Sequence, residues 1–126
     1  MKESNVAQQE SIDQATLAEL HDLTSDDPRQ FIELIEMFLN ELESSLASLA
    51  TAVKNKTEKD LARYAHSLKG ASGTVGATRL SLLSRTLEEV ALSARLDRAE
   101  AIFKQIETEA SDVRIMLARA ICDQQA

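Results

Sequence analysis

Ala65-His66-Ser67-Leu68-Lys69-Gly70-Ala71-Ser72-Gly73-Thr74-Val75-Gly76 carries one of the chain's two histidines and all three of its glycines. Outside this stretch the 126-residue sequence has no glycine and a single proline, Pro28. Turn-forming residues are therefore scarce, and long regular elements are expected. Glycine inside a helix costs about 0.5–1 kcal/mol relative to alanine. Three of them within seven residues, just after a histidine, need a reason other than helix formation.

Leu61, Tyr64, Ala65, Leu68, Ala71 and Val75 recur through the stretch at steps of three and four, the spacing of one helix face. Thr57, with Glu58 and Asp60 behind it, starts this helix. Gly76 stops it. Upstream, Thr24-Ser25-Asp26-Asp27-Pro28 reads as a second helix start, with Ser25 or Asp26 as cap and Pro28 in the first turn. Phe31, Leu34, Ile35, Phe38, Leu42, Leu46, Leu49 and Val53 then share one stripe, up to an end near Lys54-Asn55-Lys56.

Downstream, Thr78 is expected to cap a helix carrying Leu80, Leu83, Leu87, Val90, Ala91 and Ala94. A break near Arg95-Leu96-Asp97 precedes a last helix with Ala99, Ile102, Phe103, Ile106, Ala110, Val113, Leu117 and Ile121. Ile12, Leu17, Leu20 and Leu23 mark a short first helix of about 10 residues. Residues 1–11 read as a flexible polar tail and residues 12–122 as one domain. Short connections make neighbours antiparallel. The expected fold is all-α, an antiparallel up-down-up-down four-helix bundle with a short additional N-terminal helix across one end.

Composition narrows the function. Aromatics are 3% of the chain with no tryptophan, so the core is built from Leu, Ile, Val and Ala. A net charge of −7 argues against nucleic acid and against an anionic membrane surface. No apolar run is long enough to span a bilayer, and the opening residues carry no signal segment. The single cysteine, Cys122, cannot form an internal disulfide. A cytoplasmic location is expected, and Met1 with a short polar tail favours a free-standing protein.

At 100° per residue the glycine-bearing helix divides into two faces. Leu61, Tyr64, Leu68, Ala71 and Val75 point to the core. His66 projects roughly opposite, with Ala62, Lys69, Gly70 and Gly73 on its stripe. A surface imidazole beside an ammonium and bare backbone suits nucleophilic attack on phosphorus, with a protein-sized reactant approaching freely. Lys69, three residues on, is placed to screen the charge of the product. Nothing else in the chain serves phosphoryl transfer. There is no phosphate-cradling loop, nucleotide motif or metal-binding carboxylate cluster. With two histidines on different helices and no inward Glu-x-x-His pair, a metal site is not expected.

Ala65-His66-Ser67-Leu68-Lys69-Gly70, followed by Gly73, Gly76 and Ala77, then Leu80 and Leu87-Glu88, resembles the histidine-containing phosphotransfer (HPt) domain of bacterial phosphorelays. The match is dense over residues 62–91, and the helix plan extends it to most of the chain. The resemblance implies a monomeric bundle that carries phosphate between receiver-domain aspartates. It makes His66 the phosphorylated residue, Lys69 the neutralising cation and Gly70 the opening in the surface. Glu88, on the next helix, becomes a hydrogen-bond partner for the imidazole Nδ1. Ala62, Arg63, Gly70 and Gly73 become partner-facing residues. The implied partners are response-regulator receiver domains or a hybrid sensor histidine kinase. The chain needs no cofactor of its own, and Mg²⁺ is expected in the receiver. Dimerising histidine-kinase helices usually place an acid directly after the histidine. Here Ser67 follows, so autonomous kinase or ATPase activity is not expected.

The competing reading is a helical adaptor or scaffold that binds a signalling partner without phosphorylation. His21 lacks a Lys-Gly pair and is expected to be solvated or capping. Arg63 and Arg79 are candidates for steering an acidic partner or for a solvated face. Met37 and Met116 are expected in or near the core.

Overall fold

The computed structural model describes residues 10–125. The expected tail therefore lies outside the described residues except for Glu10 and Ser11. Five helices follow in order: α1 (Gln14–Leu23), α2 (Pro28–Asn55), α3 (Glu58–Thr74), α4 (Thr78–Leu92) and α5 (Ala99–Gln125). A single 3₁₀ turn, Leu96–Arg98, leads into α5. In the bundle α2 packs on α3 and α5, and α4 packs on the same two helices, so α2 to α5 close a ring. The most extensive packing is between α3 and α4. Among the described residues no helix is long and apolar enough to cross a membrane.

The apolar stripes meet as expected. Ile35, Leu42, Leu49, Leu61, Leu68, Leu80, Leu87, Ile106 and Leu117 are fully enclosed. Each such side chain stabilises the fold by about 1.5–3 kcal/mol through area removed from water. Several residues of the expected apolar sets lie outside the core, Leu23 at the end of α1 among them at 83% exposed. Met37 is 66% exposed and Leu34 39% exposed, because α2 turns that edge toward solvent beside α3. Met116 packs against the core as expected.

The helix starts differ in detail from the sequence reading. The cap of α2 is Asp27, whose carboxylate accepts from Arg29 N at 3.1 Å, and neither Ser25 nor Asp26 takes that role. Pro28 occupies the first turn, where its missing N–H is harmless. Ala77 stands at the cap position of α4, and Thr78 is the first helical residue. Its hydroxyl donates to Gly76 O at 3.2 Å. Ala94, expected on the α4 stripe, lies past the helix end with φ of 58°. Arg79 does not lie on a solvated face. Its Nη1 donates to Glu109 Oε1 at 3.1 Å, and Glu109 is a buried carboxylate, so the pair joins α4 to α5.

Gly76 does more than end α3. Its φ of 82° is in the left-handed region, which side chains other than glycine enter at a cost of about 1–2 kcal/mol. A Cβ there would also stand 2.9 Å from Asp13 O and 3.1 Å from Thr16 Cβ. Asp13 N donates to Gly76 O at 2.7 Å, while the Asp13 carboxylate caps α1 through Ala15 N. The α3–α4 turn is thus the anchor of α1. At its other end, His21 is half-buried and not a solvated or capping residue. Its ring meets Phe31 edge-on with centroids 5.3 Å apart, and Nε2 pairs with Gln124 Oε1 at 2.9 Å. Gly76→Ala is expected to cost about 1–3 kcal/mol, read as a lower urea midpoint. An unchanged midpoint would mean the turn and α1 adjust without strain.

Candidate functional site

His66 sits midway along α3 on the face turned from the core, and its side chain is 66% exposed. The backbone positions it there because Ala65 and Leu68 on either side are fully buried. The imidazole leans toward α4, where its Nδ1 lies 2.8 Å from Glu88 Oε2. The other oxygen of the same carboxylate, Oε1, accepts from Lys69 Nζ at 3.2 Å. One acid on α4 therefore engages both the imidazole and the ammonium of α3.

Burial works against charge on Glu88, but the hydrogen bonds from Lys69 and His66 outweigh it. They hold the carboxyl below its ordinary range. An ionised carboxylate only accepts, so Nδ1 carries the proton. The neutral ring then keeps its lone pair on Nε2. Among the described residues no protein group bonds to Nε2. The arrangement can serve as a nucleophile: a tautomer set by Glu88, an open approach and a cation three residues away.

The glycines clear that approach. No neighbouring group lies within 4 Å of the place a Gly70 Cβ would take. At Gly73 the nearest atom is Ser81 Oγ at 3.8 Å, an ordinary contact. Packing inside the chain thus demands glycine at neither position. Both are exposed on the His66 side, as the wheel placed them. The other partner-facing candidates are placed differently. Ala62 is half-buried against the core. Arg63 is folded back on its own helix, with Nη2 3.2 Å from Asp60 Oδ1 and its guanidinium 4.7 Å above the Tyr64 ring.

Ser81 was missed by sequence reasoning. Its hydroxyl donates to Lys69 O at 3.0 Å, so α4 holds Lys69 by its carbonyl as well as by its ammonium. Ser81 and Glu88 are two helical turns apart and share one side of α4, a spacing that was available as a signal. Beside the site, Leu20, Leu34, Met37, Phe38, Ala71 and Val75 form most of a groove of about 240 Å³ between α1, α2 and α3. A cavity of about 670 Å³ lies between the end of α2 and the start of α5 and shares no residue with the site. Among the described residues no group of three or more His, Cys, Asp or Glu could hold a metal ion.

Comparison with known proteins identifies the family and the fold. The family model described as Hpt domain matches residues 33–116. The crystal structure of histidine-containing phosphotransfer protein B from Pseudomonas aeruginosa PAO1 superposes with a TM-score of 0.85 and 32% identity, covering 90% of this chain and 96% of that one. The phosphorelay intermediate protein rdeA of Dictyostelium discoideum is 22% identical over 94 residues, covering 75% of this chain. The aligned part is 37% of the length of that curated relative.

The lowered carboxyl fixes a pH dependence. Glu88 takes up its proton at lower pH in the fold than in the unfolded chain. Its contribution is therefore fully present above the ordinary carboxylate range and is lost as pH falls through the lowered folded value. Carboxyl ¹³C NMR is expected to place the Glu88 midpoint below that of an unstructured glutamate. A midpoint at or above it would mean that burial wins over the two hydrogen bonds.

Proposed function

The chain belongs to the Hpt domain family, and on that premise we propose that it is a phosphorelay intermediate working through His66. Its Nε2 accepts a phosphoryl group from a receiver-domain aspartate and passes it to a second receiver. The observation that carries this reading is the Nδ1–Glu88 contact at 2.8 Å on an exposed ring, which leaves Nε2 as the lone-pair nitrogen. A buried structural histidine has no use for that combination.

Lys69 lies one turn from the imidazole and supplies the positive charge that a phosphoryl group requires. Its ammonium is on Glu88 in the resting protein and turns toward the phosphoryl oxygens once they arrive. Gly70 and Gly73 give a receiver access to the ring, with Ala62 and Arg63 further along α3 at the margin of the contact. Exposed Met37 and Leu34 line an apolar groove with Ala71 of α3, the type of surface that an amphipathic partner helix covers. Acyl-phosphate chemistry and any Mg²⁺ it needs belong to the receiver, so the chain acts as a carrier without kinase or ATPase activity of its own. The adaptor reading accounts for the groove but assigns no purpose to the His66–Glu88–Lys69 cluster.

Incubation with a phosphorylated receiver domain tests the assignment. Wild type is expected to take up acid-labile, base-stable phosphate, and His66→Gln none. Equal labelling of the two proteins rejects His66 as the acceptor. Gly70→Gln is expected to leave the fold as stable as wild type or stabilise it by about 0.5–1 kcal/mol. It should weaken receiver binding about tenfold or more, about 1.4 kcal/mol. Unchanged affinity would place the dock elsewhere.

A further inference from the structure

The structure assigns Glu88 a second task, which rests on His66 being the phosphoacceptor. We propose that its carboxylate keeps the proton on Nδ1 after Nε2 is phosphorylated, so that the phosphoryl group stays transferable through neutral pH. In the loading step the Nε2 lone pair attacks phosphorus and an N–P bond forms. The O–P bond of the acyl phosphate breaks, and its electron pair leaves with the aspartate carboxylate. No proton moves, and the ring, still carrying Nδ1–H, gains positive charge.

In the onward step a receiver carboxylate oxygen attacks phosphorus, the N–P bond breaks, and Nε2 takes its pair back. With Nδ1 protonated the leaving group is neutral imidazole. With Nδ1 bare it would be an imidazolate anion, a much poorer leaving group. The protonation state of Nδ1 therefore decides whether the phosphoryl group is mobile or stored.

Glu88 biases that state because of what a carboxylate can do. Facing Nδ1 at 2.8 Å, it accepts from N–H but would meet a bare nitrogen lone pair with repulsion. A glutamine of the same shape could turn its NH₂ toward a bare Nδ1 and tolerate both states. Loss of the Nδ1 proton is thus penalised in this chain by the charge of residue 88. Of the charged groups at the site, Glu88 from α4 contacts the ring and Lys69 from α3 contacts Glu88. Further out on α4, Arg85 and Glu89 pair with each other at 3.5 Å. On α2, Glu41 lines the groove with Ala71 and Thr74. When Lys69 turns to the phosphoryl oxygens, Glu88 loses a neutralising partner and holds the ring N–H more strongly. Arrival of phosphate therefore strengthens the contact that keeps it mobile.

The test uses phosphoramidate, a small P–N donor, on the full chain, so that no receiver is needed. Wild type, Glu88→Gln and Glu88→Ala are labelled, and loss of phosphohistidine is followed by ³¹P NMR from mildly acid to alkaline pH. The labile range of wild type is expected to extend about one pH unit higher than that of Glu88→Gln. The glutamine variant should hold its phosphate about tenfold longer in the interval between them. Glu88→Ala should resemble Glu88→Gln. Coincident wild-type and Glu88→Gln profiles, with His66 labelled in both, would overturn the role of the carboxylate and leave the acceptor assignment standing. No label on His66 in wild type would overturn both. A readout that needs no variant is the ¹⁵N spectrum of the phosphorylated wild-type ring. A protonated Nδ1 at neutral pH is expected, and a bare one overturns the proposal.

Discussion

A single carboxylate shared between two cationic or potentially cationic groups ties α3 to α4 on the exposed side of this protein. Glu88 can reach both His66 and Lys69 only because α3 and α4 run side by side in fixed register. Ser81 contributes to that register through the Lys69 carbonyl. Fully enclosed Leu68, Leu80 and Leu87 hold the two helices together from beneath. A rotation of either helix by one residue, 100°, would carry the acid away from the ring. The His66–Glu88–Lys69 arrangement thus depends on core packing that does not touch the imidazole.

The turn between those helices has a second duty. Gly76 lets the chain reverse and simultaneously receives Asp13, so the short α1 is tied to the connection that aligns α3 with α4. The other end of α1 rests on Phe31 and Gln124 through His21. One histidine is thus built into the architecture, and the other stands exposed on an acid of the next helix. The division follows from their surroundings: an aromatic face and an amide for His21, an ionised acid and open solvent for His66.

Much of this was legible in the sequence. Apolar spacing located all five helices, because a helix that buries one face must repeat at three and four residues. The position of His66 opposite Leu61 and Leu68 followed from the same geometry. What misled was the assumption that every apolar residue on a stripe is covered. Met37 and Leu34 belong to the spacing of α2 but stand at its edge, where α3 does not reach over them. Caps were also uncertain. Thr24-Ser25-Asp26-Asp27 offers several side chains able to bond the first N–H groups, and only the path of the backbone selects Asp27.

By itself, then, the sequence determined the helices, their order and the face that carries His66, Lys69, Gly70 and Gly73, since each depends on periodicity within one segment. It also supplied Glu88 as a candidate, without a way to know that the imidazole leans toward it. Tertiary structure decided that Glu88 joins His66 and Lys69, that Gly76 anchors α1, and that Arg79 serves a buried acid on α5. Those are contacts between separate helices. Their existence depends on how far each helix is rotated about its axis in the packed bundle, which side-chain spacing along one segment does not specify.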